Sequence, residues 1–236
     1  MSESKAGVCV VTGVGPGTGA ALCRRFAKGG YAVAMLARSE ERLRELESEV
    51  AGSRAYPTDV TDPDAIRATF EKIRKEMGPI QVLLHNAGNA SFGDFSTISE
   101  DQFEAAWRIN SLALLVCGQE AARDMVEQGS GAILVTGATA SLRGGEMFAA
   151  FAPAKAAQRS LAQSMARHLG AKGVHVAYVV VDGVIDMPTT RQFMPDRPDE
   201  KFLAPASIAE TFFQVAHQEK SAWTFELDVR PYGESW

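Results

Sequence analysis

Short runs rich in β-branched residues alternate along this chain with stretches whose apolar positions recur every three or four residues. "GVCVVT" (7–12) is the first run, and a glycine-rich turn leads from it into "GAALCRRFAKGG". "AVAMLA" (32–37) is the second. Ser39 then stands as a cap, and Leu43, Leu46 and Val50 line one face of a helix that Gly52 ends. After a short extended "SRAYPTDV", Asp62 and Pro63 open a helix with Ile66, Phe70, Ile73 and Met77 on one stripe, stopped at Gly78 and Pro79. "IQVLLHNAG" (80–88) reads as a fourth strand, and Ser99 with Gln102 forms a capping box for one long helix running to about Gln128. "GAILVTGA" (131–138), a helix over roughly 149–170, "VHVAYVVVDG" (174–183), a helix from Ser207 to His217, and "WTFELDVR" (223–230) complete the alternation.

Strands that are apolar at nearly every position are buried on both faces, and helical crossovers between them make the sheet parallel. The pattern predicts an α/β fold: a doubly wound, mainly parallel, seven-stranded sheet with helices on both faces. No internal repeat, low-complexity tract or Pro/Gly/Ser-rich linker divides the chain, so residues 1–236 are expected to form one domain.

Composition narrows the partners. With 46% hydrophobic and 22% charged residues and a net charge of -5, the chain has ample material for a core and no general electrostatic grip on nucleic acid or anionic membrane. No stretch approaches the roughly 20 apolar residues of a membrane span, and "MSESKAGVCV" has no leader-like pattern, so a soluble, cytoplasmic protein with a small-molecule partner is expected. Cys9, Cys23 and Cys117 are scattered through apolar segments and read as core thiols. His85, His168, His175 and His217 have no metal-ligand spacing, and no metal is expected.

The candidate chemistry begins at "TGVGPGTG" (12–19), between the first strand and first helix. Backbone amides and the positive helix end attract phosphate there, and absent side chains let a pyrophosphate approach. A tight strand-to-helix turn would also need glycine for conformational reasons alone. No Lys followed by Ser or Thr closes a P-loop.

Thr12, Gly13, Gly17 and Gly19 match TGxxxGxG, and "NAG" stands at 86–88, Asp59 in "TDV", Asn110 in "WRINSLA" and Lys155 in "FAPAK", all in order. With these elements the chain resembles the short-chain dehydrogenase/reductase family over nearly its whole length, which implies a Rossmann-type fold. The resemblance implies a dinucleotide on Gly13, Gly15, Gly17, Thr18 and Gly19. Arg38, Asp59 and Val60 would lie at its adenosine end, and Asn86, Ala87, Gly88, Lys155, Gly183 and Ile185 along the rest. It also implies Asn110 and Lys155 as members of a proton relay. Each has a plainer reading: Asp59 as a turn cap, Asn110 bonded within its helix, Lys155 exposed.

An NAD site wants a carboxylate at the end of the second strand. Ala37 stands there, followed by Arg38, whose fork of donors suits a 2′-phosphate, so NADP(H) is expected over NAD(H). Arg38 paired with Glu41 or Glu45 would remove that argument. At the catalytic positions the chain departs from the family. The expected tyrosine is Phe151, and thirteen residues before it the expected serine is Ala138. Thr139 is the nearest substitute for the serine. Asp182, before Gly183, would either act in proton transfer or brace a turn. Two readings follow: an NADP(H)-dependent oxidoreductase acting on a carbonyl or alcohol, or a catalytically impaired NADP(H)-binding homologue serving as a sensor or partner subunit. The apolar helices around 100–128 and 149–170 predict a homo-oligomer, dimer or tetramer.

Overall fold

The computed structural model describes residues 6–234, so the opening stretch through Lys5 and the last two residues lie outside it. Seven strands form one parallel sheet: β1 (Ala6–Thr12), β2 (Tyr31–Ala37), β3 (Ser53–Pro57), β4 (Ile80–His85), β5 (Gly131–Ala138), β6 (Val174–Val181) and β9 (Glu226–Val229). Their order is β3-β2-β1-β4-β5-β6-β9. A two-stranded pair, β7 (Val184–Ile185) with β8 (Phe202–Leu203), stands beyond the end of β6.

Helices cover both faces. α1 (Thr18–Lys28), α2 (Glu40–Glu49) and α8 (Pro205–Ala216) pack on one; α3 (Pro63–Met77), α5 (Ala113–Gln128) and α6 (Phe151–Gly170) pack on the other. α4 (Glu100–Trp107) leads into α5, and α7 (Pro188–Phe193) follows β7. β6 is buried at every position, as its unbroken apolar run requires, and all three cysteines lie in the core. Among the described residues no helix is long and apolar enough to cross a membrane.

The sheet changes winding direction between β1 and β4, and at such a switch point the strand ends leave a crevice. Gly13 makes the close approach there. Its φ is 69°, and a Cβ would lie 2.5 Å from the Ala87 Cα. Asn86 Nδ2 donates to the Gly13 carbonyl at 2.9 Å, and Thr12 Oγ1 accepts from the Ala87 amide at 3.2 Å, so the "NAG" segment is buttressed against the glycine turn.

One expectation is corrected. The single helix predicted from Ser99 to Gln128 is broken by a π-turn over Arg108–Leu112, between α4 and α5. An extra residue in the turn disturbs the regular backbone ladder, and Asn110 Nδ2 takes up the Ala106 carbonyl at 2.9 Å. Residues 187–203 follow β7. They form α7 and β8, tied by Arg191, which pairs with Asp186 at 2.7 Å and with Asp199 and stacks on Phe202 with its guanidinium carbon 4.0 Å from the ring centre.

Candidate functional site

Two cavities open along the carboxyl ends of the strands. One, about 270 Å³, is bounded by Gly13, Gly15, Arg38, Asp59, Val60 and Gly88, with Ser39 and Arg42 from the start of α2. The Arg42 amide donates to Ser39 Oγ at 3.4 Å, but among the described residues neither the Arg38 nor the Arg42 guanidinium makes a hydrogen bond or ion pair, so the pairing of Arg38 with Glu41 or Glu45 does not form. Asp59 accepts from the Thr61 amide at 2.9 Å and its hydroxyl at 2.8 Å. The Thr61 amide, helped by that hydroxyl and by the charge of Arg38, holds the Asp59 carboxyl below its ordinary value. The turn-capping reading of Asp59 and its place at the cavity therefore coexist.

The second cavity, about 530 Å³, runs from the glycine turn past Thr136 and Ala138 to Phe151 and Lys155, and is closed by Ile185, Met187 and Thr190. α1 begins at its edge with no side-chain cap. Thr18 Oγ1 is buried there without a hydrogen-bond partner, and a Cβ on Gly15 would touch nothing within 4 Å. An uncapped helix start, an orphaned hydroxyl and an open glycine fit a phosphate group. Deeper in, Asn110 Oδ1 is also buried without a partner, beside Gly88.

Lys155 is 5% exposed. Its Nζ donates to the Thr136 carbonyl at 2.9 Å and to Gln158 Oε1 at 3.0 Å, and burial away from any carboxylate pulls its pKa down to about 7. Among the described residues it is the sole ionisable side chain lining this cavity. Phe151 and Ala138 face the same cavity. Phe151 packs edge-on to Phe148, with ring centres 5.8 Å apart, and Phe148 in turn meets Phe92 at 5.6 Å. The backbone bonds Gly93 N to Met147 O, 2.9 Å, and Ala149 N to Gly93 O, 3.2 Å, hold the two loops of this aromatic ladder together.

Thr139 does not come to the serine's place. Its hydroxyl donates to Asp182, whose carboxylate also pairs with Arg230 at 3.1 Å, and neither Thr139 nor Asp182 lines the cavity. The donating hydrogen is already committed, so Thr139 has none to offer a carbonyl. Asp182 braces the end of β6, with its amide on the Val229 carbonyl at 2.8 Å, the plainer of its two readings.

Several residues of the site escaped sequence reasoning. Gln158 carried a signal, an amide on the buried stripe of α6 three residues after Lys155. Arg42 was visible as a cation near the cap of α2. Phe92 and Met187 reach the cavity, and Phe148 packs behind Phe151, only through tertiary contacts that left no local mark.

A family model described as short chain dehydrogenase matches residues 7–198. The chain belongs to the short-chain dehydrogenase family. A curated 3alpha-hydroxysteroid dehydrogenase of Mediterraneibacter gnavus is 28% identical over 234 residues, 93% of each chain. Among solved structures, a short-chain dehydrogenase from Rhodopseudomonas palustris is 36% identical with a TM-score of 0.82, covering 96% of this chain and 99% of that one. A metagenomic short-chain oxidoreductase in complex with NADP is 26% identical with a TM-score of 0.84, covering 97% and 98%. This short-chain dehydrogenase is thus an oxidoreductase by family.

Proposed function

We propose that this short-chain dehydrogenase is an NADP(H)-dependent oxidoreductase for an uncharged carbonyl or alcohol, in which Lys155 carries the proton. The observation that supports it is the amine of Lys155: the one ionisable group lining the cavity among the described residues, held by two neutral acceptors, with its pKa brought by burial to about 7. The glycine turn with Thr18 would hold a pyrophosphate, and Arg38 with Arg42 a 2′-phosphate; the solved relative that binds NADP adds support. When bound, a nicotinamide supplies or takes the hydride. Lys155 as ammonium donates a proton to the carbonyl oxygen in reduction, and as free amine accepts one from the hydroxyl in oxidation. The phenylalanines beside it exclude water and give an apolar substrate its wall. Incubation with NADPH and a panel of uncharged ketones and aldehydes tests the reading by loss of nicotinamide absorbance. Saturated binding of NADPH with no turnover on the whole panel would sink it. That result would favour the cofactor-binding homologue without turnover, which the missing phenol and the turned-away Thr139 support.

Cofactor choice has its own test. Titration is expected to give tighter binding of NADPH than of NADH, with Arg38→Ala removing most of the difference, because each charge-assisted phosphate contact is worth about 1.5–3 kcal/mol. Equal affinities in the parent protein count against both arginines.

Self-association is expected through α5 and α6. A groove of about 510 Å³ between them is lined by Leu115, Ala122, Val126, Met165 and Leu169, with Leu115 and Val126 each 37% exposed. Light scattering at micromolar concentration is expected to give a dimer or tetramer mass. A monomer mass at that concentration contradicts this.

A further inference from the structure

The π-turn that breaks the predicted long helix has a partner on α6. By disturbing the backbone ladder it leaves the Asn110 carbonyl available, and Gln158 Nε2 donates to that oxygen at 2.7 Å. The other end of the same amide, Oε1, accepts from Lys155 Nζ at 3.0 Å and from the Tyr178 hydroxyl at 3.3 Å. Gln158 is fully buried. One side chain therefore ties the cavity's lysine to the asparagine that the π-turn positions, and the tie is an amide, which carries no charge and binds no proton near neutral pH.

We propose that Gln158 is the positioning residue that fixes the Lys155 amine in the cavity and keeps it poised between its two protonation states. The inference rests on Lys155 as the site's proton carrier, but its test needs neither cofactor nor turnover. A neutral amine has two N–H bonds and one lone pair. The carbonyl of Thr136 and the Oε1 of Gln158 take both N–H bonds, so the lone pair is directed elsewhere. A carboxylate in place of the Gln158 amide would bind the ammonium form and lock the proton on; an apolar side chain would leave the amine and the Asn110 carbonyl each short of a partner.

Few other groups compete for this role. His85, from β4, faces the lysine, but burial and the Lys155 charge hold its pKa near 3, so it stays neutral through the relevant range. Tyr178, from β6, is pushed up to about 12 by burial and remains a phenol. Arg159, one residue after Gln158, is paired with Glu226 at 2.5 Å.

Lysine side-chain NMR on protein labelled at the ε-carbon, titrated with pH and assigned by the signal lost in Lys155→Met, reads the effect directly. In Gln158→Glu, which keeps the shape of the side chain, the Lys155 midpoint is expected to rise by about 1–3 units. In Gln158→Leu it is expected to fall, because the ammonium loses an acceptor. Independently of either variant, the side-chain amide signals of Gln158 in the parent protein are expected to move with the Lys155 midpoint, and this decides the matter if a variant fails to fold. Midpoints unchanged in both folded variants, or amide signals indifferent to the lysine titration, overturn the proposal. Either result leaves the NADPH turnover assay to be judged by itself.

Discussion

Phe151→Tyr combined with Ala138→Ser is expected to raise carbonyl reduction by at least about tenfold on a generic activated ketone. A positioned general acid contributes roughly 10²–10⁴-fold and an oxyanion donor about 10²–10³-fold, so the expected gain sits well below the ceiling for both. The figure is modest because a generic test ketone is not the substrate for which the cavity beside Phe92 and Phe151 is built. The tyrosine adds one oxygen to a ring that already lines the cavity, four residues before Lys155 on the same helix. The serine hydroxyl would face the same cavity from the end of β5, a place Thr139 does not reach because its hydroxyl is spent on Asp182. Turnover of NADPH at saturating cofactor measures the outcome. A double variant that folds and binds NADPH without any gain refutes the idea that a phenol and a serine hydroxyl at these positions would add to what Lys155 supplies. Strong parent activity destroyed by Phe151→Tyr would instead mark the phenylalanine as part of a working apolar wall.

The sequence made the sheet legible because its strands are continuous apolar runs whose burial on both faces leaves no other architecture. The glycine turn was legible for a related reason: the approach of Gly13 to the Ala87 backbone demands the absence of a side chain, and that absence is written in the residue type. Arg38 could be placed at the strand end by counting, although whether it would pair locally depended on the orientation of α2, which only the fold supplies. The π-turn left a weaker trace. Asn110 interrupts an otherwise favourable helical stretch, but an asparagine bonded within a regular helix looks the same in sequence. Thr139 went astray because one residue of difference in a loop after a strand reverses the face a side chain takes, and the attraction of Asp182, 43 residues later, is a long-range fact. The aromatic ladder and Gln158 act across elements, so local periodicity reads them as ordinary core positions.

Lys155→Met is expected to lower the maximal rate of reduction by about a hundredfold or more at saturating NADPH, within the range for removal of a general acid. The methionine preserves the length and apolar stem of the side chain, so the buried position beneath the cavity stays filled, while the amine bonded to Thr136 and Gln158 is lost. The same lysine sets a pH dependence whose sign follows from burial. Desolvation disfavours the ammonium and brings its pKa down to about 7, so the proton-donating form is present below that pH and disappears as pH rises through it. The reduction rate is therefore expected to fall above about pH 7, and alcohol oxidation, which needs the free amine, to rise through the same window. His85 does not confuse the profile, since it titrates near 3. Opposite slopes for the two directions, both flattened in Lys155→Met, identify one group acting as acid and base. A parent profile with no inflection near neutrality, or a Lys155→Met protein that keeps the parent rate at saturating cofactor, removes Lys155 from the chemistry and leaves it as a residue that only holds the structure of the cavity.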